Sequence, residues 1–516
     1  MRYPRPGVHG LWLAAIILAG GAIRLIYIGE KSLWYDEALS FWFSSLPLAE
    51  LWGVAPGYET HPPLYYTLLK GWRGLFGASE GGMRSLSALA GTATIPVIYW
   101  LGRIAAGEAR GRAAGLASAA IFAITPIHIV YSQEARPYAL LVLWAMLALL
   151  GALWLTANPL RAARPYLGLG GGADEKIDRE AAQAWAALAL GAALTLWLHN
   201  MGFTLTLALL ATGAAGLLWK TDFSRPYMLN VALAAGVILL IYSPFIPWFI
   251  KQSGNVHTSF WLQSINLGLI GRRLDEVFFL YLPSPWQKGV LLGLAIYGLV
   301  VTKRARGLLP MVTIAGAMII PLVLVIGLSY LFTPIFVART MIWTSGPFLV
   351  AAGVGLAALL EGRPLAPSAV VALVVLAALA PGVWKHFQGH KEPWRQMTRL
   401  VGEKAMPGDV ALALPNSAAI PFSYYAARYI PDMKIISLPA SFPAKGLARP
   451  YPTGNMAEPG FTEADLHLLD GINCDGHSIW FVARFLPMFD PNKIVFNTLS
   501  EKCEMVESGG NMSLKI

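Results

Sequence analysis

Charge is what this sequence has least of. Asp, Glu, Lys and Arg make up 13% of its 516 residues, where a soluble domain carries about 25%. One large soluble core cannot absorb that deficit, because cores stop growing at about 250–300 residues. A soluble protein with many buried helices is therefore set aside. Cysteine is scarce too. The two present, Cys474 and Cys503, both lie in the polar C-terminal stretch. A disulfide between them is expected if that stretch is external; the alternative is two free thiols. Metal-ligand spacings, a glycine-rich phosphate loop after a strand and a serine nucleophile elbow are all missing.

What is abundant is apolar sequence, 56% of the chain, in runs close to the ~20 residues a helix needs to cross a bilayer. Such runs cover 10–28, 84–102, 113–130, 138–157, 183–198, 201–219, 229–250, 287–302, 308–332, 340–360 and 366–384, or eleven expected spans. The first follows a short basic N-terminus but shows no convincing small-residue cleavage site, so it reads as a retained helix. The formal charge of +10 is scattered among these segments rather than gathered on one face, which argues against a nucleic-acid partner. It fits basic cytoplasmic loops and sites for anionic lipid head groups. With the N-terminus inside, Arg103, Arg110, Arg112, Arg161, Arg164, Lys176, Arg179, Lys220, Arg225, Lys303, Arg304 and Arg306 all fall in cytoplasmic loops. An odd number of spans then places the C-terminus outside.

The first external loop, about 29–83, carries an apolar stripe at Leu39, Trp42, Phe43 and Leu46 and another at Leu64, Leu68, Trp72, Leu75 and Phe76. Helices of this kind lie in the membrane interface with cations such as Lys70 and Arg73 on the other side; the alternative is a pair of soluble loop helices packed on the bundle, and either way the loop stays at the membrane surface. A second external loop is expected at 251–286. After the last span the pattern changes. Val410–Leu414, Lys434–Leu438, Ile479–Ala483 and Lys493–Phe496 read as short strands of a small α/β domain. The expected division is a transmembrane domain at 1–385 and an external domain at 386–516.

Groups that could do chemistry fall on the expected outer side. Trp34-Tyr35-Asp36-Glu37 puts two adjacent carboxylates beyond the first span. Neighbours on a helix do not share a face. One can therefore act as a general base on a hydroxyl while the other anchors the loop or binds a cation. In Glu59-Thr60-His61-Pro62-Pro63-Leu64-Tyr65-Tyr66 the prolines fix the backbone and hold His61 in one direction. Tyr131-Ser132-Gln133-Glu134-Ala135-Arg136-Pro137-Tyr138 sets Glu134 and Arg136 beside the start of the fourth span, where anions are favoured. Arg84, Lys288 and Arg339 lie at external span ends and His199 at an external turn. Guanidinium groups suit bidentate phosphate contact. Each of these features also has a plain structural reading, as a cap, a local pair or a snorkelling side chain.

At these residues the sequence resembles the GT-C membrane glycosyltransferases, in particular the protein O-mannosyltransferase and aminoarabinose-transferase group, glycosyltransferase family 39 and its bacterial relatives. Trp34-Tyr35-Asp36-Glu37 is similar to the family's Asp-Glu pair in the first external loop, and His61-Pro62-Pro63-Leu64-Tyr65 to its His/Lys-Pro-Pro segment. Arg84 with the following Ser85–Leu89, and Gln133–Tyr138, resemble its arginine-containing helix start and second acidic motif. Phe336-Val337-Ala338-Arg339 resembles it more weakly, as do Trp394-Arg395 and Pro407–Val410 at the head of the C-terminal domain.

The resemblance implies a polytopic α-helical fold with a small periplasmic α/β domain, in a bacterial inner membrane. It implies an inverting transfer from a polyprenyl-phosphate-linked sugar to a lipid, polysaccharide or protein hydroxyl. Carried over by position, Asp36 is the base, Glu37 supports the loop or acceptor, and Glu134 is a second carboxylate. Arg84, Arg136 and Arg339 become the phosphate candidates, and Tyr35, His61, Tyr65, Tyr138 and His199 line the substrate. Thr60-His61 departs from the Glu-Lys of the aminoarabinose group, which puts a lipid A acceptor in doubt, since His is fully charged only below about pH 6.5. No cofactor is called; a divalent cation at the adjacent carboxylates is left open. Two other readings compete. A lipid-linked-glycan flippase would need polar residues deep within several spans, whereas Arg24 sits near a span end. A non-catalytic envelope assembly protein would leave the Asp36 carboxylate dispensable.

Overall fold

The computed structural model describes residues 8–163, 178–215, 225–259, 262, 264–444, 447, 457–472, 474, 476–504, 508–509 and 514–515. Arg164, Lys176 and Lys220 lie outside the described residues. The chain divides into two compact units. The first comprises Met1–Ile28, Gly81–Pro247 and Ser264–Gly389; the second comprises Gly29–Glu80, Trp248–Gln263 and His390–Ile516.

The first unit is built of apolar helices, and the chain is a multi-span membrane protein. Among the described residues eight helices are long and apolar enough to cross a bilayer. One of them, Glu80–Ile124, carries two expected spans in 45 residues and breaks at Gly107, where φ is 76°, a backbone that glycine adopts without a Cβ penalty. The expected span at 287–302 falls on the helix Pro285–Arg306, and that at 201–219 on Gly202–Ala215 as far as the described residues go, 216–219 lying outside them. One expectation is corrected. The span placed at 113–130 stops at Ile124, because Thr125 is extended (φ −69°, ψ 124°) ahead of Pro126. Proline disfavours helix at the residue before it. A separate short helix, Pro126–Ser132, follows.

Glycines let these helices touch backbone to backbone. A Cβ at Gly298 would collide with Ala351 O, and one at Gly355 with Leu294 O, so Pro285–Arg306 and Ser345–Leu360 pack at their closest approach there. Gly151 and Gly191 do the same for Tyr138–Ala157 and Arg179–Leu198. Without a hydrophobic drive between helices in lipid, such close packing is a main source of association.

The second unit holds a five-stranded sheet: β1 (Val410–Leu414), β2 (Lys434–Ser437), β3 (Ile479–Ala483), β4 (Ser508–Gly509) and β5 (Leu514–Lys515), in the order β2-β1-β3-β5-β4. Strand β1 runs parallel to both β2 and β3, and β5 antiparallel to β3 and β4. Side chains alternate along a strand, so Ala411, Ala413, Trp480 and Val482 enter one core with Phe422 and Tyr425. Leu412, Leu414, Phe481 and Ala483 enter the other with Val495 and Leu499. Burial on both faces explains why β1 and β3 are unbroken apolar runs.

The strand expected at Lys493–Phe496 is a helix, Ile494–Lys502. The Asp490 carboxylate accepts from the amides of Ile494 and Val495 at 2.7 and 3.0 Å and satisfies its first turn. Val495 and Leu499, four apart, share the core-facing stripe. Cys474 and Cys503 form a disulfide with their Cα atoms 5.6 Å apart.

Both stripes of the first external loop are helices, Tyr35–Ser45 and Leu64–Phe76. On the second, Leu68, Leu75 and Phe76 are exposed. Its cations turn inward. Lys70 Nζ donates to Leu46 O at 2.9 Å and lies 3.4–3.5 Å from Ser44 O and Ser45 O, while Arg73 Nη1 reaches Phe41 O and the hydroxyls of Ser44 and Ser45. They cap the carbonyl end of the first helix, the end that attracts cations.

Candidate functional site

In the second unit, the segment at the start of helix Tyr35–Ser45 is shaped by its own sequence. Trp34 is extended (φ −88°, ψ 172°), and its amide donates to Glu37 Oε2 at 3.3 Å, the reciprocal half of a capping box. That contact turns Glu37 back towards the helix start. Glu37 is fully buried, and Lys391 Nζ lies 3.0 Å from the same oxygen. Asp36 precedes it by one residue, so its side chain leaves the helix about 100° away, and it is partly exposed.

Tyr35 is buried. Its amide donates to Glu392 Oε2 at 2.8 Å, its hydroxyl donates to Glu458 Oε1, and the Arg484 guanidinium lies 3.9 Å from its ring centroid. Burial pushes the Glu458 carboxyl up to about 7, with Arg484 pulling the other way. His61 Nδ1 sits 2.5 Å from Glu59 Oε1, which also accepts from the His61 amide at 3.0 Å. Gln252 Nε2 fixes that turn through the carbonyls of Pro56 and Glu59. Tyr65 is fully buried beside Tyr66, at a ring separation of 5.7 Å.

In the first unit, Gln133 orders the second motif. Its Nε2 donates to Arg24 O at 3.2 Å and Ile26 O at 2.7 Å, and its Oε1 bonds His386 Nε2 at 2.9 Å. Those carbonyls end the first helix, Val8–Leu25, and would otherwise lack partners. Arg24 is fully buried and donates to Gly20 O, Ala123 O and Ser132 Oγ, which ties it into the same corner. Arg84 is buried and donates to Ile28 O at 2.9 Å. Glu134 and Arg136 are both buried, and Arg136 lies 5.8 Å from the Tyr138 ring centroid. His199 ends the helix Arg179–Leu198 and faces Tyr138 at a ring separation of 6.4 Å.

Arg339 and Glu134 both act on Tyr131, at the head of the Glu134 motif but not among the expected site residues. Burial raises the Tyr131 hydroxyl well above the usual phenol value, and Glu134, Glu276 and Tyr138 push it the same way, while Arg339 opposes them. Tyr281 is raised by burial and by the same two carboxylates. Glu134, Glu276 and Arg339 thus all act electrostatically on Tyr131. Glu276 lies on the helix Leu267–Phe279, which packs against the turn Ala338–Thr344 that bears Arg339. The signal for Tyr131 was its place at the head of the Glu134 motif. Glu276 carried none beyond its acidic side chain in an external loop. Carboxylates, phenols and a guanidinium that act on one another in this way can polarise a hydroxyl and stabilise an oxyanion.

The expected site residues divide between the units: Tyr35, Asp36, Glu37, His61 and Tyr65 belong to the second, and Arg84, Glu134, Arg136, Tyr138, His199 and Arg339 to the first. Among the described residues no group of three or more His, Cys, Asp or Glu is placed to hold a metal ion.

Residues 60–172 match the family model described as dolichyl-phosphate-mannose-protein mannosyltransferase. No curated protein matches the chain in sequence. Among solved structures, the chain is similar to ArnT from Cupriavidus metallidurans bound to undecaprenyl phosphate (TM-score 0.60, 14% identity, 99% of this chain and 98% of that one). It is also similar to the apo state of ArnT from that organism (TM-score 0.59, 12% identity, 99% and 98%). The Archaeoglobus fulgidus oligosaccharyltransferase in complex with Zn and sulfate matches over 83% of this chain and 62% of its own (TM-score 0.55, 13% identity).

Proposed function

We propose that this chain, a multi-span membrane protein with the GT-C glycosyltransferase fold, transfers a sugar from a polyprenyl-phosphate donor to a hydroxyl of a lipid, glycan or protein. The reaction runs with inversion at the periplasmic face of a bacterial inner membrane. The observation that carries the reading is the full-length likeness to ArnT bound to undecaprenyl phosphate; the family match over residues 60–172 supports it. The N-terminus is cytoplasmic and the C-terminal domain periplasmic in this reading.

In the transfer, the acceptor oxygen forms a bond to the anomeric carbon from the face opposite the phosphate. The carbon–oxygen bond to phosphate breaks with its electron pair, and polyprenyl phosphate leaves. A hydroxyl is a poor nucleophile, so Asp36 takes its proton as general base. Glu37, turned into the protein, supports the loop. Glu134 orients the sugar or the acceptor. Arg84, Arg136 and Arg339 are assigned to the phosphate, where fixed cations stabilise the growing charge of the leaving group. His61, Tyr65, Tyr138 and His199 are assigned to substrate, whereas Tyr35, also expected there, is buried with its hydroxyl on Glu458. A single charge-neutralising change at the base should remove most of the rate.

The test is genetic and chemical. The gene is deleted in its host and restored as wild type or as Asp36→Asn, and envelope lipids and glycans are compared by mass spectrometry. One species is expected to lose a single sugar mass on deletion, to regain it with wild type and to stay deficient with Asp36→Asn at equal membrane abundance. That mass identifies sugar and acceptor together. Full restoration by Asp36→Asn would sink the assignment of Asp36.

A further inference from the structure

The first external loop and the C-terminal residues belong to one compact unit, and residues from beyond 390 hold the segment that carries Asp36 at Gly29, Glu30, Ser32, Leu33, Tyr35 and Glu37. The Arg395 amide donates to Ser32 Oγ at 2.8 Å, and its guanidinium reaches the carbonyls of Gly29 and Glu30, both at 2.9 Å. The Leu33 amide donates to the Tyr425 hydroxyl at 2.7 Å. Tyr35 is held at both ends, by Glu392 on its amide and by Glu458 on its phenol, with Arg484 across its ring. Glu37 bonds Lys391. Asp36 lies between two of these anchored residues.

The anchors are themselves fixed. Glu392 Oε2 also accepts from Trp394 Nε1 at 2.7 Å, and Glu392 Oε1 accepts from Arg484 Nε and Nη2, each at 3.3 Å. Glu392 therefore cannot swing away from the Tyr35 amide without breaking an ion pair and an indole contact. Arg484 follows the last residue of β3, and its amide donates to Leu414 O at 2.9 Å, so the sheet sets its direction. A continuous chain of contacts runs from the sheet through Arg484, Glu392 and Glu458 to Tyr35, the residue whose backbone precedes Asp36.

We infer that the C-terminal domain is a working part of the transfer site, in which Glu392, Glu458 and Arg484 are positioning residues that aim the Asp36 carboxylate through Tyr35. The inference rests on Asp36 being the base. A general base works only within hydrogen-bond reach of its proton, and a misplacement of about 1 Å can cost about 100-fold in rate. Three ionisable side chains focused on one buried tyrosine supply that placement. The predicted signature is loss of turnover on removing a directed acceptor and recovery when an isosteric acceptor replaces it.

The experiment uses the full-length protein in the deletion host, at matched membrane abundance, reading the sugar-modified against the unmodified envelope species. Glu392→Ala, Glu458→Ala and Tyr35→Phe are each expected to lower the modified fraction at least tenfold. Glu392→Gln and Glu458→Gln, which keep an oxygen facing Tyr35, are expected to restore it to within about threefold of wild type. Val495→Ala, a core truncation on the other side of the sheet, controls for lost stability and is expected to keep the wild-type fraction when its melting temperature matches that of the Ala variants. Wild-type product in Glu392→Ala and Tyr35→Phe, with Asp36→Asn inactive, overturns the positioning role alone. An equal loss in Val495→Ala, or no recovery in the Gln variants, overturns it too. Wild-type product in Asp36→Asn overturns the base assignment itself.

Discussion

Lys391 Nζ lies 3.0 Å from Glu37 Oε2, and Glu37 has no exposed surface. The pair joins the first external loop to a residue 354 positions later. Taking two such charges out of water is costly, and leaving one without its partner is costlier. Lys391→Met is therefore expected to lower the stability of the second unit by about 3–5 kcal/mol. The double variant Glu37→Gln with Lys391→Met should recover most of that loss. Thermal melting of the detergent-purified protein measures both, and additive losses in the double variant would show that the two side chains are not coupled.

Glu458 makes a prediction about pH. Its carboxyl is pushed up to about 7 in the folded protein, above the roughly 4.3 of an unfolded chain. A raised carboxyl favours the protonated folded state. Its contribution is fully present below about pH 4 and is lost as pH rises through about 7. Wild type should lose melting temperature between pH 5 and pH 8. Glu458→Gln, always neutral, should lose less over the same interval. Identical slopes for the two proteins would remove Glu458 as the cause.

The disulfide between Cys474 and Cys503 closes a loop with a sequence separation of 29. Closing a loop of that length stabilises a domain by about 3–4 kcal/mol in the chain-entropy view. Replacing both cysteines with serine, or adding reductant, should lower the melting transition of the second unit. Helix content, dominated by the membrane segments, should stay unchanged. Circular dichroism reads the second quantity and cysteine-independent fluorescence melting the first.

Gln133 should matter more for assembly than its neutral side chain implies. It bonds the carbonyls of Arg24 and Ile26 and the ring of His386. Gln133→Leu is close in volume but leaves buried partners unsatisfied, at about 1–3 kcal/mol for each. The expected result is a lower yield of monodisperse protein and a lower melting temperature than wild type. Equal behaviour of wild type and Gln133→Leu would show that the corner is held by other contacts.

Much of the membrane architecture is written locally. Among the described residues most of the expected spans fall on helix, the run placed at 113–130 being cut at Ile124, because a bilayer leaves an apolar run of that length only one way to satisfy its backbone. The cut at Thr125 was legible in Pro126, and the helix at Ile494–Lys502 was concealed by its β-branched start, since the deciding group was a carboxylate upstream, Asp490. In the candidate site, the motif residues were legible as residue types at defined spacings. Which of two adjacent carboxylates turns inward was not, because Glu37 is selected by Lys391 as well as by its own capping box.

The sequence by itself determined the class of protein, the apolar segments, the acidic and basic groups around them and three strands of the C-terminal domain, all properties of composition and short-range periodicity. Only the tertiary structure decided that residues 29–80 belong with His390–Ile516 in one unit, that Tyr35 is held by Glu392, Glu458 and Arg484, and that Glu276 acts with Glu134 and Arg339 on Tyr131. Those pairings span hundreds of residues. No local pattern encodes them, because a carboxylate or guanidinium carries the same charge whichever partner reaches it, and only the packing of distant backbone decides which one does.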